Sequence, residues 1–255
     1  MRRAILSAAL LGLVTVAAPA AAVETPITVH VLSQGAKFIG SSMGGVEVRL
    51  YDADSGDLLA EGQTRGGTGD TGRIMKQAHS RGAVLSTPGA ARFETTLDLD
   101  RPARIRAVAE GPQAQAQAMT TASSTQWVLP GKGVTGGDGW RLTLPGFMVD
   151  LQTPGAAGNA GTAPATVQVT ANVRMMCGCP ITPGGLWDAD AYEVAAMVYR
   201  DGEKLREVPL SYAGHPSQFA TELTLDKPGG YEVTVYAFDP ASGTTGLDKT
   251  TFAVE

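Results

Sequence analysis

Short runs of alternating apolar and polar residues, separated by turn residues, recur along most of the chain. Residues 46–51 alternate at period two, and residues 231–238 do the same. Such alternation is typical of strands with one face buried in a core and the other in solvent. Asp201-Gly202 separates two further runs, and Asp-Gly in this position is a strong hairpin signal. The pattern predicts an all-β protein built from β-sandwiches.

The glycine-rich stretch at residues 153–164 divides these strands into two groups. It is composed of small and polar residues with a proline near each end, so it cannot form a buried core of its own. We therefore predict a first β-sandwich over residues 23–152, with long Gly-rich loops, and a flexible linker at 153–164. A second, immunoglobulin-like β-sandwich is predicted over residues 165–255.

Two stretches resemble known families of exported modules. Residues 46–64, a strand, an acidic Ser-Gly turn at 52–57 and a return strand, resemble a carboxypeptidase regulatory-like (prealbumin-like) domain. Residues 228–239 are similar to the penultimate strand of bacterial immunoglobulin-like and fibronectin-like domains, a resemblance that extends over residues 165–255. Both resemblances imply a sandwich scaffold and no particular activity.

The first 22 residues have the three-part layout of a signal peptide. Arg2 and Arg3 precede an apolar run at residues 4–18, and alanines at 20–22 suit signal peptidase. The sequence therefore predicts a periplasmic or secreted protein, and no second apolar run predicts a membrane span. Without the two arginines, 18 basic and 25 acidic residues give a net charge of −7, which argues against a nucleic-acid partner.

The segment Met175-Met-Cys-Gly-Cys179 holds both cysteines of the chain. In an extended segment Cys177, Cys179 and Met175 would project to one side, because side-chain direction repeats every two residues, and Met176 would point away. Thiolates and thioethers are soft ligands that favour Cu(I), with zinc as a competitor. We therefore predict a candidate copper site at Cys177 and Cys179 with Met175 or Met176, and His215 as an optional nitrogen ligand.

The same two cysteines allow other interpretations. In an exported chain they can form a local disulfide and act as a thiol redox pair. That bridge closes a very small ring, in which the preferred Cα separation and χ₃ angle are hard to satisfy without strain. They can also pair between chains, or serve as ordinary core residues alongside the two methionines.

No motif in the chain indicates an enzyme. His30, His79 and His215 are scattered, and neither a Gly-x-Ser-x-Gly nor a His-Glu-x-x-His motif occurs. The Gly-rich loop at 65–72 lacks the Lys-Ser/Thr ending of a phosphate-binding loop. It is instead predicted to be an exposed contact loop.

The sequence thus predicts an exported, non-catalytic binding protein with a soft-metal site. The first alternative is an envelope scaffold or protein-interaction module that contacts an envelope protein through Arg65, Asp70 and Trp187. The second alternative is a redox protein that uses Cys177 and Cys179. In the scaffold alternative the contact surface consists of the Gly-rich loop at 65–72 and the loops near Trp127, Trp140 and Trp187, although large apolar side chains can equally cap a core.

Overall fold

The computed structural model describes residues 21–156 and 158–255, so the predicted signal peptide lies, except for its last two residues, outside the described ranges. Fifteen strands are described: β1 (Val23–Ser33), β2 (Glu47–Asp52), β3 (Leu58–Gln63), β4 (Phe93–Leu99), β5 (Ala103–Gly111), β6 (Thr120–Val128), β7 (Trp140–Leu144), β8 (Phe147–Thr153), β9 (Ala165–Met175), β10 (Glu193–Arg200), β11 (Glu203–Pro209), β12 (Ser211–Tyr212), β13 (Gln218–Leu225), β14 (Gly229–Phe238) and β15 (Thr245–Val254). Short 3₁₀ turns lie at Ser41–Met43, Ala116–Ala118 and Ala189–Ala191, and a π-helical turn at Gly72–Lys76.

The first sandwich packs a three-stranded sheet, in the order β4-β1-β7, against a four-stranded sheet, in the order β3-β2-β5-β6. β1 runs antiparallel to β4 and parallel to β7. The alternation in β2 decides which side chains face the core: Val48 and Leu50 are fully buried, whereas Arg49 and Tyr51 lie on the outer face. This is the half-buried pattern expected of the strand.

The second sandwich has two four-stranded sheets, in the orders β11-β10-β14-β15 and β12-β13-β9-β8. In β14 the alternate residues Tyr231, Val233, Val235 and Ala237 are all buried. Asp201 and Gly202 both have positive φ, +51° and +88°, as the predicted two-residue hairpin between β10 and β11 requires. Both sandwiches are antiparallel apart from the β1–β7 pair, so the predicted all-β tandem-sandwich fold is confirmed.

The boundary between the sandwiches differs from the predicted one. β8 was expected to close the first domain at residue 152, but it pairs antiparallel with β9 in the second sandwich. Residues 158–163 then run along β15, where Ala160 N donates to Ala253 O (2.8 Å) and Ala253 N donates to Gly158 O (3.0 Å). The predicted linker at 153–164 therefore joins two neighbouring strands of one sheet, and the chain passes between sandwiches at Pro145-Gly146.

No helix within the ranges 21–156 and 158–255 has the length and apolar character needed to cross a membrane.

Candidate functional site

The Met-Cys segment forms a tight turn at the end of β9, where the two sandwiches meet. Gly178 N donates to Met175 O (2.8 Å), and Met175 N donates to Cys179 O (3.1 Å). Gly178 has φ +78°, a left-handed conformation that glycine adopts without steric penalty. The turn brings the chain back on itself, so that Pro180 bridges to Arg174.

Cys177 and Cys179 are joined by a disulfide within this turn. Their Cα atoms lie 5.4 Å apart, which is within the usual range, because the left-handed Gly178 folds the segment instead of leaving it extended. The part of the expectation that concerned the Cα separation was therefore wrong. Both cysteines are buried, with 2% and 6% exposure, and a disulfide offers no thiolate to a metal.

The two adjacent methionines belong to different cores. Met175, Cys177 and Cys179 pack in the core of the second sandwich. Met176 is fully buried in the core of the first sandwich, together with Met148 of β8. The turn therefore links the two cores, and its side chains contribute to both.

His215 does not complete a ligand set with the cysteines. It lies exposed in the loop before β13, where its main-chain oxygen accepts a hydrogen bond from Gln218 N (3.0 Å). Within the described ranges no three His, Cys, Asp or Glu side chains are grouped so that they could hold a metal ion. The optional nitrogen ligand predicted from sequence is therefore not brought to the two cysteines.

The junction between the two sandwiches, formed by the turn at residues 175–179, also contains residues of the first sandwich. The sequence did not indicate these residues. A Cβ atom on Gly178 would lie only 2.7 Å from Met43 Sδ. Ala36 packs in the second core, and Gly35 O accepts a hydrogen bond from Trp187 Nε1 (3.0 Å). No local pattern indicates these contacts, because they join segments more than 130 residues apart.

The three residues predicted to contact a partner have different environments. Trp187 is buried, with 7% exposure, and its Nε1 donates to Gly35 O, so it lies in the contact between the two sandwiches. Asp70 precedes the π-helical turn, and its carboxylate accepts a hydrogen bond from Arg73 N within that turn (2.6 Å). Arg65 is exposed, and its main chain pairs with Arg92, closing the gap between β3 and β4.

The outer face of the β3-β2-β5-β6 sheet carries an exposed tryptophan, one of the three that the sequence places near turns. Trp127 of β6 is 62% exposed and lies opposite Arg104 of β5. Two residues along β5, Arg106 lies over the ring of Tyr51 at 5.1 Å from its centroid. The alternation of β6 does indicate this orientation, because Val128 is buried and its neighbour must then face outwards.

Charge on this outer face is uneven, and we call Tyr51, Arg104, Arg106 and Trp127 the Trp127 surface. Arg104 pairs with Asp54 (2.7 Å), with both side chains well exposed. Arg106 pairs with no carboxylate of the described residues and is held instead by the aromatic face of Tyr51. The Trp127 surface is therefore positive, on a chain with a net charge of −5.

Comparisons with known proteins give fold neighbours and no family. No family model matches the chain, and no curated protein does. An engineered protein of known structure is 18% identical with a TM-score of 0.32, and the match covers 47% of this chain but only 22% of that one. The fibronectin(III)-like modules of Clostridium thermocellum CbhA are 14% identical, with a TM-score of 0.29 and coverage of 82% and 77%. The titin domains z1z2, solved in complex with telethonin, are 11% identical, with a TM-score of 0.26 and coverage of 92% and 95%.

Proposed function

We propose that this chain is an exported, non-catalytic protein-interaction module that contacts its partner through the Trp127 surface. The observation that carries the proposal is the 62% exposure of Trp127 on a regular strand, beside Arg104 and near the Arg106–Tyr51 pair. Trp, Tyr and Arg are the residue types most enriched among the energetic hot spots of protein interfaces. A tandem sandwich supplies a rigid scaffold for such a surface.

The charge of the Trp127 surface specifies the partner further. Arg106 offers its guanidinium donors without a competing carboxylate, and Arg104 shares only one, that of Asp54. Guanidinium groups bind carboxylates in a bidentate geometry, and complementary charge speeds association. The proposed partner is therefore an envelope protein that presents aspartate or glutamate side chains around an apolar patch large enough to cover an indole ring.

Site-specific crosslinking tests this proposal. A photo-crosslinking amino acid replaces Trp127 in one variant and Leu205 in the control, because Leu205 is also exposed (47%) but lies on β11 of the second sandwich. We expect a specific adduct from position 127 only. Trp127→Ala should then weaken binding of the purified partner about 30-fold, the equivalent of about 2 kcal/mol for a hot-spot residue. Equal adducts from both positions, or equal affinities for Trp127→Ala and Leu205→Ala, would exclude the Trp127 surface.

A soft-metal function is a second candidate, favoured by the position of Met175. Its side chain is buried in the same core cluster as Cys177 and Cys179, so reduction of the bridge would leave two thiols and one thioether in that cluster. Three sulfur ligands suit Cu(I). A dithiol reductant must first supply two electrons and two protons to open the S–S bond, becoming a disulfide itself.

Metal analysis of the reduced protein tests the second candidate. After anaerobic reduction and incubation with Cu(I), near-stoichiometric copper should be retained, and Cys177→Ser/Cys179→Ser should lose it. Copper retained by the double mutant, or absent from both proteins, would refute the site. If the thiols instead re-form the bridge reversibly with glutathione disulfide and no copper is retained, the Cys-Gly-Cys pair functions as a thiol redox element.

Export supports both candidates and is itself a proposal. It rests on the pattern of residues 1–22 and on the disulfide, since disulfides persist mainly in oxidising compartments. N-terminal sequencing of the protein recovered from the bacterial periplasm should begin near residue 23. An intact Met1 in a cytoplasmic fraction would contradict export.

A further inference from the structure

A buried histidine on the outer side of β1 has a fixed tautomer. His30 is 4% exposed, and its Nδ1 lies 2.9 Å from the main-chain oxygen of Asp138. A carbonyl oxygen can only accept, so Nδ1 carries the proton. Burial lowers the pKa of His30, against the opposing effect of this hydrogen bond, and keeps the ring neutral near neutral pH. Nε2 is therefore an acceptor, and within the described ranges it has no hydrogen-bond partner.

His30 lines a groove of about 300 Å³ on the outer face of the β4-β1-β7 sheet. In the sheet register Thr28 lies opposite Glu94, and both line the groove together with Arg92. Thr87 and Thr135 line it from the connecting loops. The groove has the volume of a small-molecule site at the lower end of the usual range.

Asp138 supports this groove through both its main chain and its side chain. Its main-chain oxygen fixes the tautomer of His30, and its carboxylate, in a residue only 8% exposed, accepts from Ser86 N (2.8 Å) and Leu85 N (3.0 Å). Arg141 pairs with the same carboxylate at 3.1 Å. Leaving such a buried carboxylate unpaired would be strongly unfavourable, so this network holds residues 85–86 against the sheet.

The polar groups of the groove specify the ligand chemistry. His30 Nε2 and the Glu94 carboxylate accept hydrogen bonds, whereas the Arg92 guanidinium donates them. Arg92 and Glu94 form an ion pair (3.0 Å), which leaves no net charge for an ionic ligand, and the arginine disfavours a metal ion at His30. The threonine hydroxyls can donate or accept. A ligand with several hydroxyl groups can meet acceptors and donors at once.

We propose that the groove binds a neutral polyhydroxylated ligand, a sugar unit, with one of its hydroxyls donating to Nε2 of His30. The sugar can be free or part of a glycan chain, because the groove is open at the surface. This inference does not depend on the proposed protein-interaction function, since the groove shares no residue with the Trp127 surface.

NMR of the full mature protein, labelled with ¹⁵N in histidine, tests the proposal. His79 provides an internal control: its Nε2 donates a hydrogen bond to Arg73 O (2.6 Å) and so carries the proton, the opposite tautomer to that of His30, and the side chain is exposed. The probes are glucose, galactose, mannose and N-acetylglucosamine, each as the free monosaccharide and as a β-linked trisaccharide. At least one should shift the His30 Nε2 resonance in a saturable way and leave His79 unchanged.

Two variants separate binding from a structural effect. His30→Asn keeps an amide donor for the Asp138 oxygen but removes the imidazole Nε2 from the groove, and should weaken binding about 3- to 10-fold, the effect of one neutral hydrogen bond. Glu94→Gln lies at an exposed position (59% for the side chain) and should fold normally while also weakening binding. His79→Asn and Trp127→Ala should bind as the unmodified protein does.

The binding measurements also distinguish a free sugar from a glycan chain, and they include results that would refute the proposal. Tighter binding of a trisaccharide than of its monosaccharide indicates a glycan, and equal binding indicates a free sugar. If no probe shifts His30, or if His30→Asn and Glu94→Gln bind with unchanged affinity, the groove is not a sugar site. Neither result bears on the crosslinking experiment at Trp127.

Discussion

Replacing Gly178 by alanine should destabilise the protein through two separate effects. Gly178 lies between the bonded cysteines with φ +78°, and a Cβ atom there would lie 2.7 Å from Met43 Sδ and 3.2 Å from Met43 Cγ. The backbone effect arises from the left-handed conformation, which an L-residue with a Cβ atom adopts at a free-energy cost. The steric effect arises because Met43 is itself buried in the first core and has little room to move.

The two effects have different magnitudes. The left-handed conformation costs about 1 to 2 kcal/mol for a residue with a Cβ atom. Overpacking adds about 1 kcal/mol, the low end of its usual range, because a methionine side chain can adjust. The free energy of unfolding should therefore fall by about 2 to 3 kcal/mol, which lowers Tm by about 4 to 12 °C for a chain of this size.

Gly184 provides a matched control in the same segment. It has φ +64°, yet nothing lies within 4 Å of the position of its Cβ atom. Gly184→Ala should therefore show the backbone effect alone, about 1 to 2 kcal/mol. Urea denaturation of both variants, and a double-mutant cycle with Met43→Ala, measures the difference. Equal destabilisation by the two alanines, or no coupling between positions 43 and 178, would refute the close packing of Met43 against the turn.

Three further predictions follow from the disulfide and the buried polar groups. The native protein should show no reactive thiols, and two titratable thiols would contradict the disulfide. In urea denaturation, Cys177→Ser/Cys179→Ser should lower the free energy of unfolding by about 1.5 kcal/mol, the chain-entropy value for a three-residue loop. Burial lowers the pKa of His30, so the folded state favours the neutral ring, and the free energy of unfolding should decrease as pH falls below about 6.5. If the same decrease persists in His30→Asn, His30 is not the group responsible. Asp138→Asn should lose about 1 to 3 kcal/mol and release residues 85–86, measured by denaturation and amide hydrogen exchange; unchanged protection of Leu85 and Ser86 would be inconsistent with the network.

The sequence was sufficient where structure depends on local periodicity. The alternation in β2 and β14 defined which side chains are buried, and Asp201-Gly202 defined a hairpin, because these signals lie within a few residues of the structure they specify. Met175, Cys177 and Cys179 do share one core, but a turn at Gly178 places them there, so the extended geometry assumed from the sequence did not apply. The two-residue period applied to β6 would have placed Trp127 outside.

Contacts between segments that are distant in the sequence could not be predicted from local periodicity. β8 was assigned to the first sandwich because it precedes a glycine-rich stretch, but strand pairing is decided by the fit of its apolar residues against β9. The burial of Trp187 depends on its packing in the second core and on its hydrogen bond to Gly35, and no local pattern indicates either contact. The partner of His30 lies 108 residues away and contributes a main-chain atom, which carries no sequence signal.

Met175 packs in one core and Met176 in the other, so the two sandwiches have separate sheets but share side chains in their cores. Met176 and Met148 are supplied by the second sandwich, yet they fill the interior of the first. A fragment ending before residue 147 would leave two unfilled volumes in its hydrophobic interior, each the size of a methionine side chain. We therefore expect that neither sandwich can be fused to an unrelated sandwich without loss of stability. Domains that share no core residues would tolerate such an exchange. Substitutions at either end of this contact should be inherited together.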